Sequence, residues 1–290
     1  MNALNQLLSS LKVEANVHHN GQYCGDFAVD TSGTGRMTFH VVSKGRCFFE
    51  LGGQTVELAK GDAVFMPCDA QHCITSLLNS KAEINTAKPL PMTQDPEQES
   101  TGLVCGNFAH RNPVFEKLVK QMPELIIIRA NDNSSARQII DLILEESSVS
   151  DEHTNVLLNR LADCLFYLLV RNNLDVKSGV FAAFAHPNLS KAMTLIHQSN
   201  DQRLTLDEMA NAAAMSRSAF SSLFKEVVDQ TPMEYLTQWR MSQAYRWLAD
   251  DGISTFEAAT RCGYESEASF SKAFKRVMGV GPGSARNQTQ

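Results

Sequence analysis

The chain has 290 residues, 43% of them hydrophobic and 20% charged, with a formal net charge of −6. That length gives room for two domains with cores of their own, and the acidic balance argues against a surface coated in basic residues for indiscriminate nucleic-acid binding. The longest apolar run, Leu165–Val170, is far too short to cross a bilayer. The opening residues lack a basic stretch leading into an apolar core, so no signal peptide is expected. Seven scattered cysteines, an odd count, point to a reducing, cytoplasmic setting and not to a secreted disulfide framework.

In chain order, residues 20–75 read as strands. "MTFHVV", "RCFFEL", "QTVEL" and "AVFMP" are short β-rich runs separated by Gly45, Gly52–Gly53 and Gly61–Asp62. Such spacing predicts an antiparallel barrel or sandwich. Asn79–Gly102 is polar, holds three prolines, lacks periodicity and is expected to be a mobile loop; "LVCGNFAH" reads as a returning strand. From Ser135 the period becomes helical. Leu157, Leu161, Leu165, Leu168 and Leu169 form a stripe that serves either as core or as a dimer surface. "VKSGVFAAFAHPN" reads as the join to the last domain.

The C-terminal part contains a duplication. "SRSAFSSLFKEVVDQTP" (Ser216–Pro232) matches "SEASFSKAFKRVMGVGP" (Ser266–Pro282) at an offset of 50 residues, pairing Phe220 with Phe270, Phe224 with Phe274 and Val227 with Val277. An Ala-rich short helix precedes each copy, "TLDEMANAAAM" in the first and "STFEAATRCGY" in the second. Each copy therefore reads as a helix-turn-helix whose second helix is pinned by an F-x3-F-x2-V stripe and presents its other face outward. Between them, "PMEYLTQWRMSQAYRWLAD" has Pro at a helix start and enough length, ~27 Å at 1.5 Å per residue, to space two recognition helices by about one DNA turn.

Thr205 to Arg286 resembles the DNA-binding domain of AraC/XylS-type transcription regulators: a Gly-aromatic turn, a Ser-x-x-x-Phe helix start, an Ala-Phe-Lys centre and a closing Gly-x-x-Pro. Where that family usually continues with an aromatic-Arg pair, this chain has "GSAR" after its last proline. "GDAVFMPCDAQH" (Gly61–His72) fits the second cupin motif, G-x5-P-x-G-x2-H, with Asp69 in place of its Gly, and the strands ahead of it are similar to the cupin module fused to such regulators. The fold class expected is α+β: an N-terminal cupin-like antiparallel β-barrel over 1–130, a helical linker or dimerisation segment over 131–180, and an all-α tandem helix-turn-helix domain over 187–288, with units at about 205–228 and 254–278.

The resemblance implies sequence-specific binding of double-stranded promoter DNA by a homodimer, an activator role with RNA polymerase as partner, no membrane and no enzymatic activity. Excluding the buried stripes leaves Arg217, Ser218, Ser221, Ser222 and Lys225 on the first recognition helix, and Glu267, Ser271, Lys272, Lys275 and Arg276 on the second. Ser, Lys and Arg reach base edges or phosphates. Glu265 and Glu267 suit either base readout or a helix N-terminus. The Ser-rich first helix implies modest base readout, with phosphates and DNA shape supplying the rest.

A competing reading is a metal-dependent cupin enzyme with an appended helical domain. Such a site needs a His-x-His pair, but the expected place, Thr31–Gly35, reads "TSGTG". His40 and His72 remain as candidate metal ligands, which thiols could complete as a His/Cys set for zinc. An architectural DNA binder is disfavoured: residues 187–290 carry 11 basic and 11 acidic side chains and so lack a dense positive surface. The effector is expected to be a small molecule or an oxidant or electrophile acting on Cys24, Cys47, Cys68, Cys73 or Cys105, with Cys24 and Cys105 on strands that run side by side.

Overall fold

Glycine-punctuated runs of Val, Ile and Phe build two antiparallel sheets in the first of two compact units, which spans 13–109 and 122–173. The computed structural model describes residues 13–78, 82–91, 99–110, 119, 122–148, 154–173, 179–198 and 204–287. The strands are β1 (Val13–Cys24), β2 (Ala28–Val29), β3 (Met37–Lys44), β4 (Arg46–Leu51), β5 (Gln54–Ala59), β6 (Ala63–Met66), β7 (His72–Thr75), β8 (Ser100–His110) and β9 (Ile126–Ile128). One sheet runs β1-β8-β3-β6-β9 and the other β2-β7-β4-β5. Gly52 and Gly53, both at positive φ, make the two-residue turn that sets the β4–β5 register of Leu51 against Gln54.

The sheets face each other across one core. Val42, Val64, Met66, Leu103 and Cys105 come from the first sheet, and Cys47, Phe49, Leu58 and Ile74 from the second. The first sheet is covered on its other face too, which is why Met37–Val42 is buried at every position. Phe65 and Phe108 pack there against Phe166 of a helix. Gly106 is required at this crowded point, since a Cβ would lie 2.5 Å from the Phe39 ring and 2.8 Å from the Asn16 carbonyl oxygen.

That helix is α2 (Thr154–Asn173), which follows α1 (Ser135–Ser147). Both were expected as a linker, yet they are built into the barrel unit. Asp163 and Asn159 accept the backbone N–H groups of Ala15 and Val17 at 2.8 and 2.7 Å, satisfying donors along the edge strand β1. Of the leucine stripe, Leu165 and Leu169 are core, Leu161 and Leu168 are half-buried, and Leu157 is exposed. The loop expected over Asn79–Gly102 also differs where it is described. Ser100–Gly102 belongs to β8, and Leu90 exchanges two backbone hydrogen bonds of 2.8 Å with Gln22. Positions 79–81 and 92–98 of that call lie outside the described residues.

A second hub fixes the turn between β5 and β6. Asp62 accepts from the Arg129 guanidinium at 2.8 Å, from Ala130 N at 2.9 Å and from Ala59 N at 3.1 Å. Burial pushes its carboxyl up, but these donors outweigh that and hold it below the usual range. Arg137 of α1 donates to the Gly61 carbonyl and pairs with Asp141.

The second unit is helical: α3 (Gly179–Ala185), α4 (Leu189–Gln198), α5 (Leu206–Ala212), α6 (Arg217–Val228), α7 (Pro232–Ala249), α8 (Thr255–Arg261), α9 (Glu267–Met278) and α10 (Pro282–Asn287). The segment read as a join is thus partly helix α3, with Phe184 edge-on to His197. Positions 176–178 of that segment lie outside the described residues. The central helix α7 starts as expected, with Pro232 in its first turn and a capping box between Thr231 and Glu234. Tyr235, Leu236, Trp239, Met241, Tyr245 and Leu248 are all buried along it. Pro282 opens a closing helix whose Ala285 is fully buried against the α7–α9 cluster.

Candidate nucleic-acid interface

Two copies of one local design present α6 and α9. In each, a short helix ends in a residue at positive φ, Ala214 (φ 55) in the first and Gly263 (φ 77) in the second. The next N–H then turns back, Met215 to the Ala210 carbonyl and Tyr264 to that of Ala259, both at 3.0 Å. Ser216 caps α6 by accepting from Ala219 N, and Ser266 caps α9 by accepting from Ser269 N. Both helices end in left-handed caps, Asp229 and Gly279.

The buried stripe of α6 is Phe220, Phe224 and Val228, and that of α9 is Phe270, Phe274 and Met278. The spacing is therefore F-x3-F-x3, one residue longer than expected at its last step. Val227 and Val277 are only half-buried, and Val277 packs against the edge of the same core cluster. The opposite faces carry the expected polar residues. Arg217, Ser218, Ser222, Lys225, Glu267, Lys272, Lys275 and Arg276 are exposed, and Ser221 and Ser271 are half-buried. One partnership was not visible in the sequence: Arg217 Nε lies 3.1 Å from Asp207 Oδ1, on the short helix α5.

The core behind α6 holds a buried histidine. His197 Nε2 is 2.7 Å from the Tyr235 hydroxyl, and its ring lies 3.9 Å from that of Trp239. Burial pushes the imidazole down to about 3 and the Tyr235 phenol well up, so the pair is neutral.

In the barrel, His40 and His72 do converge. Their Nε2 atoms are 3.2 Å apart, and Thr31 Oγ1 sits 3.2 Å from the first and 2.8 Å from the second. Thr31 was missed; it occupies the stretch where the cupin enzymes carry their His-x-His pair. His72 Nδ1 lies 2.8 Å from the Ala70 carbonyl, to which it donates, and this bond fixes the orientation of the ring. Burial, then His72, hold His40 well below the ordinary range, and His40 Nδ1 is buried with no partner among the described residues. No group of three His, Cys, Asp or Glu side chains suited to a metal occurs among the described residues. The expected thiols do not complete the pair, so this donor set falls short of a cupin enzyme's metal site or a zinc site.

The cysteines separate into two classes. Cys47 and Cys105 are buried in the barrel core, where burial pushes the first thiol up to about 12 and the second higher still. Cys24 is exposed, and Cys68 and Cys73 are half-buried, with burial and then Glu50 and Asp30 raising Cys73. Strands β1 and β8 are indeed neighbours, but Cys24 and Cys105 are not brought together. Ser100 donates to Gln22 at 3.0 Å and Gly106 abuts the Asn16 carbonyl, so the strands run antiparallel. Cys105 is level with residues near 17, about 23 Å along β1 from Cys24 at ~3.3 Å per residue. A direct disulfide between them is ruled out by that distance.

Sequence comparisons agree with both halves. A profile described as "Cupin" matches residues 2–175, more than half of the chain, and one described as "Helix-turn-helix domain" matches 209–288. An uncharacterized HTH-type transcriptional regulator of Haemophilus influenzae is 25% identical over 99% of this chain and 98% of its own length. A putative AraC-like transcription regulator of Streptomyces antibioticus is 27% identical with the same coverage. The RCS-specific HTH-type transcriptional activator RclR of Escherichia coli is 24% identical over 100% of this chain and 99% of its own. With a cupin unit of two antiparallel sheets ahead of a duplicated helix-turn-helix, the chain belongs to the AraC/XylS-type family of DNA-binding transcription regulators and is not an enzyme.

Proposed function

We propose that this regulator is a cytoplasmic, homodimeric activator that recruits RNA polymerase at its promoters and whose barrel unit answers a small-molecule or oxidant signal. The observation that carries the DNA-reading part is the pair of recognition helices. Each is pinned from behind by two phenylalanines and shows serine, lysine and arginine on its outer face. Lys272, Lys275 and Arg276 on α9 supply phosphate contacts, and the Ser-rich α6 adds a modest base readout. Full-length Lys272→Ala should bind its operator more weakly at low salt, with the slope of log K against log salt reduced by about 0.9. An unchanged slope would remove Lys272 from the interface.

For the signal, two observations favour thiols. Cys24 is exposed on β1 and Cys68 is half-buried within the second cupin motif, whereas the core thiols are sealed off. A relative matched over nearly its full length is named an RCS-specific activator. The mechanism this supports is oxidation at Cys24 or Cys68 that shifts the population of DNA-competent molecules. A neutral ligand held in the barrel by Thr31, His40 and His72 is the second reading, favoured by the convergence of those three side chains.

A further inference from the structure

The two recognition helices differ at their N-terminal ends in a way that the repeat makes easy to see. The first unit pairs Asp207 on α5 with Arg217 at the first position of α6, Nε to Oδ1 at 3.1 Å. The matching positions of the second unit are Phe256, 70% exposed, and Glu267. The ion pair is therefore a feature of one unit and not part of the shared scaffold, whose caps, turns and aromatic pins are present in both.

We propose that Asp207 is a positioning residue that aims Arg217 at a guanine in the promoter. The proposal rests on the DNA-binding reading and adds a base to it. Three points carry it. First, in helix-turn-helix docking the N-terminal residues of the second helix are the ones that meet base edges in the major groove. Arg217 occupies that place, and among the α6 candidates it is the only side chain with a planar fork of donors. Second, the Asp207 carboxylate lies against Nε, which leaves the two terminal Nη groups available to a base. That pair matches the O6 and N7 acceptors of guanine, a fit lysine cannot reproduce. Third, a carboxylate beside the guanidinium cancels its charge. The pair is a poorer phosphate anchor for that reason, while the geometric match of the donor fork to a base edge is kept.

The sequence alone implied modest base readout from this serine-rich helix. The geometry concentrates that readout in one arginine, with Ser218 and Ser222 beside it and exposed. The second unit, with Lys272, Lys275 and Arg276, then contributes more to affinity than to base choice.

The test is selection of randomised duplexes by the full-length protein, followed by salt titrations on the selected site. Wild type should fix a guanine at one position of the half-site facing the first unit. Arg217→Lys should lose preference there by about ten-fold or more, leaving other positions unchanged. Asp207→Ala should flatten the same position several-fold with an unaltered salt slope, and Asp207→Asn, which still offers Nε an acceptor, should restore most of it. A merely structural pair would lower the melting temperature in Asp207→Ala and leave the base preference intact, which overturns the proposal. So does an Arg217→Ala variant that weakens every sequence equally and lowers the salt slope by about 0.9, the signature of a phosphate contact. Failure of the wild type to select any sequence would instead overturn the DNA-reading function itself.

Discussion

Two residues of the helical unit sit where their chemistry is strained, and each makes a prediction. Ala214 holds a left-handed conformation, φ 55, at the turn where the second copy has Gly263. An alanine Cβ costs roughly 1–2 kcal/mol there, partly offset by the entropy a glycine loses on folding. Ala214→Gly should therefore stabilise the helical unit by up to about 1 kcal/mol. Both tryptophans of the chain, Trp239 and Trp247, lie in α7, so their fluorescence follows this unit's urea midpoint selectively. His197 is the second case. Its folded pKa, about 3, lies below the unfolded value near 6.5, so the fold favours the neutral ring. Above pH 6.5 both states are neutral and the term vanishes. As pH falls from 6.5 toward 3, the unfolded chain takes a proton that the fold refuses, and stability drops by up to about 1.4 kcal/mol per pH unit. His197→Gln should lower stability at pH 7 but remove most of this acid slope; an unchanged slope would assign it to other groups.

At the scale of elements, the parts that were legible are those written locally. Paired phenylalanines four residues apart, serine caps and a proline at a helix start fixed α6, α7 and α9 from neighbouring residues alone. Strand β1 was legible only at its end, because "VEANVHHNGQYC" is mostly polar and is held by side chains 142 and 148 residues away. The Asp207–Arg217 pair and the placing of Thr31 between two histidines were hidden for another reason: they join residues of different elements across a turn or between strands, where no helix or strand period links them. The leucine stripe of α2 was read correctly as apolar, but periodicity does not say what covers it. With Leu165 and Leu169 in the core, the exposed large apolar residues of α1 and α2, among the described residues, are Leu142, Val156 and Leu157, at 46%, 64% and 46%, and these are the candidates for a dimer contact. Leu142→Glu with Leu157→Glu should give a monomer by sedimentation at micromolar concentration with its melting temperature within a few degrees of wild type. A wild type already monomeric there would leave this face simply solvated. Leu165→Asp is a different experiment: it buries a carboxylate beside Phe166 and should unfold the barrel unit.

For the whole molecule, the question is how a barrel unit with sealed core thiols could report an oxidant. Thiolate character and access govern reactivity, and Cys47 and Cys105 lack both: each is buried and each resists ionisation. Cys24 has the access, on the last residue of β1. That strand is also the one whose backbone donors are satisfied by Asp163 and Asn159 of α2, so a bulky or charged group added at Cys24 acts on the strand that joins the sheet to the helices. The coupling needed is small, since a few kcal/mol of differential stability moves a two-state population across most of its range. A reporter driven by the protein's own promoter should respond to hypochlorous acid or a maleimide-type electrophile in wild type and in Cys105→Ala. In Cys24→Ala the response should fall by at least several-fold, and labelling of the purified protein with an iodoacetamide probe should lose its fastest-reacting site. If Cys24→Ala, Cys68→Ala, Cys73→Ala and Cys164→Ala, which cover the accessible thiols, and the four changes combined all respond as wild type does, thiol sensing is excluded and the Thr31–His40–His72 cluster becomes the place where the signal is read. His72→Gln, which keeps an acceptor-capable side chain but not the ring, would then be the variant that silences the reporter.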